Sequence, residues 1–297
     1  MNAHRNKKAD ESYKRGLASL DSGQLEQALA IFREVIADNP SDEESWAHFA
    51  SAIQRLGNEK EAESALAGAL NAGVRSKQFW YTLANCMHGE RSQQAYLMAL
   101  AVDPQDEQVL GELAWSLRTS GFKDQALEIY RRLLEIYSRK KDAPSLNSLG
   151  DTLRRLVGSY DDAENAFERA LELEPESFET WKGLCYLMCS RREPALAQQI
   201  MRRFIQSYPE HPQRAEAWVC LGTVLKSLDD YNGAEEAVRQ ALGVDPLCQA
   251  AWSKLADILF ETGSIAEAQQ ALKRANDLDY NKRFDGTTDD TGASPAR

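Results

Sequence analysis

Cysteine is scarce and odd in number: Cys86, Cys185, Cys189, Cys220 and Cys248 in 297 residues. That usage does not build the disulfide framework of a small secreted domain, so a reducing compartment and a cytoplasmic location are expected. The sequence has no run of about 18 apolar residues, which excludes a helical membrane span. Its first residues, MNAHRNKKADESYKRG, lack the apolar stretch of a secretory signal. Positive charge is also short. Lys and Arg number 35 against 46 Asp and Glu, for a net charge of −11. A bulk surface of that sign argues against general nucleic-acid binding, which needs cations on phosphates, and against docking on anionic lipid.

Catalytic and metal-binding patterns are missing too. The four histidines, His4, His48, His88 and His211, have no partner at metal-ligand spacing. Cys185 and Cys189 stand four apart on one helix and Cys220 belongs to the next repeat; a soft-metal site is conceivable, but Cys185 occupies a core column and a packed thiol is the default. There is no Gly-rich phosphate loop, nucleophile elbow or zinc-protease helix motif. No cofactor and no catalytic site are expected. Hydrophobic residues still make up 43%, enough to bury a core.

What the sequence does contain is periodicity. One column of small residues runs Ala28, Ala62, Ser92, Ala126, Ala163, Ala197, Ala234, Ala268, with a spacing of 34 and excursions to 30 and 37. A second runs Gly16, Ala50, Ala84, Ala114, Gly150, Cys185, Gly222, Ala256 in phase with it. Large residues fill matching columns. Trp46, Trp80, Trp181, Trp218 and Trp252 lie four positions before the second small column, and a further column reads Phe32, Leu66, Tyr96, Tyr130, Phe167, Met201, Val238, Leu272. Pro40, Pro104, Pro175, Pro209 and Pro246 close five of the units. Stripes such as Trp218–Leu221–Gly222–Leu225 are helical, and a small residue on each helix of a hairpin lets the two axes approach closely.

These columns resemble the tetratricopeptide repeat, W-x2-L-G-x2-Y…A-x3-F…P over 34 residues, across about residues 9–280. The seventh unit matches it most fully, with Trp218, Leu221, Gly222, Leu225, Ala234, Val238, Ala241 and Pro246. The resemblance implies an all-α fold, a right-handed superhelical α-solenoid of about eight tandem antiparallel helix hairpins. The units start near 9, 43, 77, 107, 143, 178, 215 and 249, after a polar segment 1–8 and before a polar tail 281–297 expected to be disordered. Unit three is four residues short between Met87 and Ser92, which calls for a tight hairpin turn. Unit four lacks a closing proline, unit five has one extra residue near Val157-Gly158, and Pro209–Pro212 reads as an extended link.

The resemblance further implies that the first helix of each hairpin lines a concave groove that holds another protein or peptide. Carried onto this sequence, the groove positions include Tyr81, Asn85, Trp115, Arg118, Asn147, Arg154, Arg155, Lys182, Tyr186 and Lys226. Trp115 stands beside the missing side chain of Gly111, and the cations follow it in stacking order, which suits an acidic or carboxylate-bearing segment. Alternatively, each cation reflects the ordinary preference for positive charge in a helix's last turn, and Trp115 packs between neighbouring repeats. The Lys and Asn pattern of chaperone-tail-binding members is not reproduced in any three consecutive units. The expected function is a non-catalytic adaptor or scaffold. Self-assembly is the alternative, and an RNA-binding helical repeat is the weaker one. Sequence leaves the oligomeric state open.

Overall fold

A computed structural model describes residues 7–285, with side chains described over 8–279. Among the described residues there is no strand. Contacts divide the chain into two units, residues 1–139 and 140–297. The first holds α1 (Lys7–Asp21), α2 (Leu25–Asp38), α3 (Glu43–Leu56), α4 (Glu59–Ala72), α5 (Lys77–Ala84), α6 (Gly89–Val102), α7 (Glu107–Thr119) and α8 (Lys123–Lys140). The second holds α9 (Ala143–Thr152), α10 (Tyr160–Leu173), α11 (Phe178–Ser190), α12 (Pro194–Ser207), α13 (Arg214–Ser227), α14 (Tyr231–Val244), α15 (Gln249–Glu261) and α16 (Ile265–Asp285). In each unit odd helices pair with the even helices that follow, as in α1 on α2, α5 on α6, α9 on α10 and α13 on α14. Even helices then pack on the next odd helix, as in α2 on α3 and α10 on α11. The fold is all-α, a succession of antiparallel helix hairpins.

The small columns meet at the hairpin crossings. Ala28, Ala62, Ala126, Ala163, Ala197, Ala234 and Ala268 are all fully buried. A Cβ added at Gly222 would lie 2.6 Å from the Val238 side chain and 3.1 Å from the Ala234 carbonyl oxygen. At Gly150 it would lie 2.8 Å from the Phe167 ring. Small residues on one helix therefore make room for both the backbone and the large residue of the other. The one polar member obeys the same geometry: the Ser92 hydroxyl donates to the Ala84 carbonyl across the crossing at 3.0 Å. The large column is buried from Phe32 to Val238, while Leu272, in the last hairpin, is 41% exposed.

Proline does more than stop a helix. The indole N–H groups of Trp46, Trp181 and Trp252 donate to the carbonyls of Pro40, Pro175 and Pro246, six residues earlier, at 2.8–2.9 Å. Trp80 makes the same bond to Val74 at 2.9 Å without a proline. Each tryptophan thus ties its own helix to the turn that closes the preceding hairpin. The bond also satisfies a carbonyl that the helix end leaves open.

Irregular units adjust by recognisable means. Unit three loses its residues from the helix itself, since α5 has eight residues where α3 has 14. Its hairpin turn, 85–88, is longer than the Gly57-Asn58 turn of unit two rather than tighter. The helix gives up six residues at its C-terminal end and the turn takes back two, which accounts for the four-residue deficit. The extra residue of unit five is absorbed in a π-helical turn, Leu153–Val157, closed by Gly158 at φ 76°. Without a proline, α8 runs to 18 residues and ends at Lys140, and Lys141 after it takes φ 56°. Residues 208–213 fold into hydrogen-bonded turns instead of an extended link, with the His211 N–H donating to the Tyr208 carbonyl and that of Arg214 to the His211 carbonyl. Helix α16 continues to Asp285, past the boundary expected at 280. Residues 1–6 and 286–297, most of the expected terminal segments, lie outside the described residues.

Two glycines separate crossing from surface. Gly222→Ala is expected to cost about 1–3 kcal/mol through overpacking against Val238 and Ala234. Gly111→Ala, whose Cβ meets nothing within 4 Å, is expected to gain about 0.4–1 kcal/mol from the restricted unfolded chain. Urea denaturation of the two variants checks both signs.

Candidate functional site

The groove positions carried over from the repeat pattern fall on the first-helix side of the two units. Tyr81, Asn85, Trp115 and Arg118 belong to the first unit. Asn147, Arg154, Arg155, Lys182, Tyr186 and Lys226 belong to the second.

In the first unit Trp115 is 54% exposed. Gly111, one turn earlier, leaves open space where a side chain would stand. The result is an aromatic face beside a shallow gap. Arg118 extends from the next turn to the Tyr130 hydroxyl, whose acidity is set first by burial, which raises its pKa, with Arg118 opposing. Its Nε is buried without a hydrogen-bond partner. Asn85 lies on the turn after α5 rather than on a helical face, because α5 ends a turn early. It accepts a 2.5 Å hydrogen bond from the Tyr96 hydroxyl. Tyr81 packs near the Tyr96 ring, and its oxygen takes the Gln108 side-chain amide at 2.6 Å.

In the second unit Arg154 and Arg155 lie on the π turn. Both reach back to Asp151, Arg155 at 3.2 Å. Burial alone would raise the Asp151 pKa, but the two guanidinium groups outweigh it and hold the carboxyl below its ordinary value. Arg154 also lies 5.8 Å from the centre of the Tyr186 ring, which is 43% exposed, and its Nε is buried without a partner. Asn147, one turn before Asp151, has its side-chain oxygen buried and unpartnered. Lys182 pairs with Glu179 at 2.7 Å and Lys226 with Glu261 at 3.6 Å. The expected cationic stripe is therefore interleaved with carboxylates. Periodicity located the cations and missed these counter-charges, although Asp151 and Glu179 stand at the i,i+3 and i,i+4 spacings that make such pairs.

A thiol pair lies on the same side. A hydrogen bond shared with Cys189, and then burial, push the Cys185 thiol up. The same bond pulls the Cys189 thiol down against burial, and Arg154 adds to the effect. Burial raises Cys86 and Cys220 to about 11. Among the described residues no group of three or more His, Cys, Asp or Glu is placed to hold a metal ion. No described helix is long and apolar enough to cross a membrane.

Tetratricopeptide repeat family models match residues 19–86, 149–212 and 220–279, which together span more than half of the chain. The chain belongs to the tetratricopeptide-repeat family. Among curated proteins, this repeat chain is 27% identical over 171 residues to human protein O-mannosyl-transferase TMTC1, covering 54% of this chain and 19% of that protein. It is 22% identical over 264 residues to human TMTC3, covering 86% of this chain and 28% of that protein. The chain thus spans less than a third of the length of these relatives. Among solved structures, a tetratricopeptide repeat protein from Parabacteroides merdae shares 15% identity over 84% of this chain and 98% of that one, at a TM-score of 0.43. MamA from Desulfovibrio magneticus shares 18% identity over 60% and 97%, at a TM-score of 0.42.

The thiol geometry gives a direct expectation. At neutral pH iodoacetamide should alkylate Cys189 ahead of Cys86, Cys185 and Cys220, and Arg154→Gln should slow it, because the thiolate loses a neighbouring positive charge. Peptide mapping by mass spectrometry against time measures both.

Proposed function

We propose that this tetratricopeptide-repeat chain is a non-catalytic cytoplasmic adaptor whose first-helix face holds a segment of a partner protein. One observation carries the reading. On the first-helix face of the second unit, Tyr186 is 43% exposed with the Arg154 guanidinium 5.8 Å from its ring centre, and Arg155 is exposed next to Arg154 on the same turn. An exposed aromatic ring beside two guanidinium groups suits a segment that carries carboxylates, at modest entropic cost. In the first unit, Trp115 beside the open space at Gly111 offers a separate exposed aromatic face. An acidic segment fits the finer reading, provided that it displaces Asp151 from Arg154 and Arg155. The mannosyl-transferase activity named for the human relatives is not carried over, since the match covers only a small share of those proteins.

Self-association is the second reading, and exposed Leu272 at the end of an otherwise buried column favours it. Sedimentation across concentration distinguishes the two: a polymer that Leu272→Lys dissolves supports self-association.

Binding to an arrayed library of acidic peptides tests the adaptor reading. Tyr186→Ala is expected to weaken the best binders roughly tenfold, about 1.4 kcal/mol. Arg155→Glu is expected to abolish the acidic preference, and Asp151→Asn to strengthen binding by freeing both arginines. Equal binding by Arg155→Glu and the parent removes the acidic reading; equal binding by Tyr186→Ala as well removes this face as the site.

A further inference from the structure

A second surface lies on the opposite, second-helix side of the second unit, independent of the face described above. Three helices each contribute one stripe to an open groove of about 770 Å3. The floor is Trp181, Leu184 and Met188 of α11, at positions i, i+3 and i+7. One wall is Glu164, Glu168, Leu171 and Glu172 of α10, and the other is Leu196, Gln199, Ile200 and Arg203 of α12. Leu196 is 44% exposed, so the apolar lining reaches the rim.

Three other pairs of second helices are tied across their groove by ion pairs. Arg33 of α2 reaches Glu61 of α4 at 2.6 Å, Arg91 of α6 reaches Glu63 of α4, and Arg239 of α14 reaches Glu267 of α16 at 3.3 Å. Between α10 and α12 the charges are placed differently. Arg203 is turned inward over the Trp181 ring, 5.7 Å from its centre. Glu164 is taken by Arg191 at 2.6 Å, at the base of α10. Among the described residues Glu168 and Glu172 carry no ion pair, and both are exposed on the groove wall. Past Pro175 and Tyr208 the groove opens into a second depression of about 500 Å3, whose rim carries Glu174 and Glu176, while Glu179 is held by Lys182. The track therefore has an apolar floor, one acidic wall and an acidic exit.

We infer that this groove docks a basic amphipathic helix of a partner protein. Leucine-like side chains at i, i+3 and i+4 of that helix fill the space between Leu171, Leu196 and Ile200. Its Lys or Arg residues, on the flank facing α10, meet Glu168 and Glu172 one turn apart. From Glu164 to Glu172 the acidic wall rises about 12 Å, which matches two to three turns of a partner helix. Charge sets the orientation and excludes an acidic helix, for which the wall would be repulsive.

A fluorescein-labelled 14-residue peptide of Leu and Lys in amphipathic helical order is the probe, read by anisotropy against the full chain. A scrambled peptide of the same composition and a Leu–Glu counterpart are its comparisons. The ordered Leu–Lys peptide is expected to bind at least tenfold more tightly than either. Glu168→Lys with Glu172→Lys, and separately Leu196→Asp, are each expected to weaken it at least tenfold, with unchanged circular-dichroism melting. Trp115→Ala and Asn147→Ala, on the other face, are expected to leave it unchanged. Equal binding by the scrambled peptide, or by both groove variants, overturns the inference without touching the adaptor reading.

Discussion

Everything in this chain depends on how closely two helices of a hairpin can approach. At Gly222 the helices leave no room for a single methyl group, and at Gly150 the space is filled by the Phe167 ring. Such an approach lets a short hairpin bury its large column residue without voids, which a lone helix pair of about 14 residues per helix cannot otherwise afford. The opposite side of each hairpin must then be covered by the next one. Repetition is a consequence of that incomplete burial, and the exposed Leu272 marks where coverage ends among the described residues.

Most of the fold was readable because its determinants are periodic. Small residues in phase announced the crossings, and the large columns announced the core. What periodicity could not supply was the way each irregular unit absorbs its difference. A four-residue deficit can be met by a tighter turn or by a shorter helix. The shorter helix prevails in unit three: α5 ends at Ala84, after Phe79, Trp80 and Leu83 have already supplied the buried side, so the shortened end removes nothing from the core. An inserted residue can swell a loop or widen a helix, and in unit five it widens the helix next to Arg154 and Arg155. The tie from tryptophan to the proline carbonyl was half legible: in three units the two columns stand six apart, but nothing in the pattern said that one donates to the other.

The candidate sites show a similar boundary. Side-chain positions on one helix follow from spacing, so the members of the first-helix face could be named in advance. Their charge state did not follow from counting cations, because Asp151, Glu179 and Glu261 neutralise much of the stripe. The Lys226–Glu261 pair joins residues 35 apart and has no local signature. The groove over α11 was invisible for a stronger reason. Its three stripes are separately unremarkable helical faces, and only their assembly sets an apolar floor beside unpaired carboxylates.

Native-state hydrogen exchange across residues 7–285 at low denaturant is the most direct test of the packing on which this account stands. If hairpins close-packed through small residues are the structural unit, amides of α13 and α14 should lose protection together, with the same dependence on denaturant, and likewise those of α9 and α10. Helices that open singly, indifferent to their hairpin partner, would contradict it.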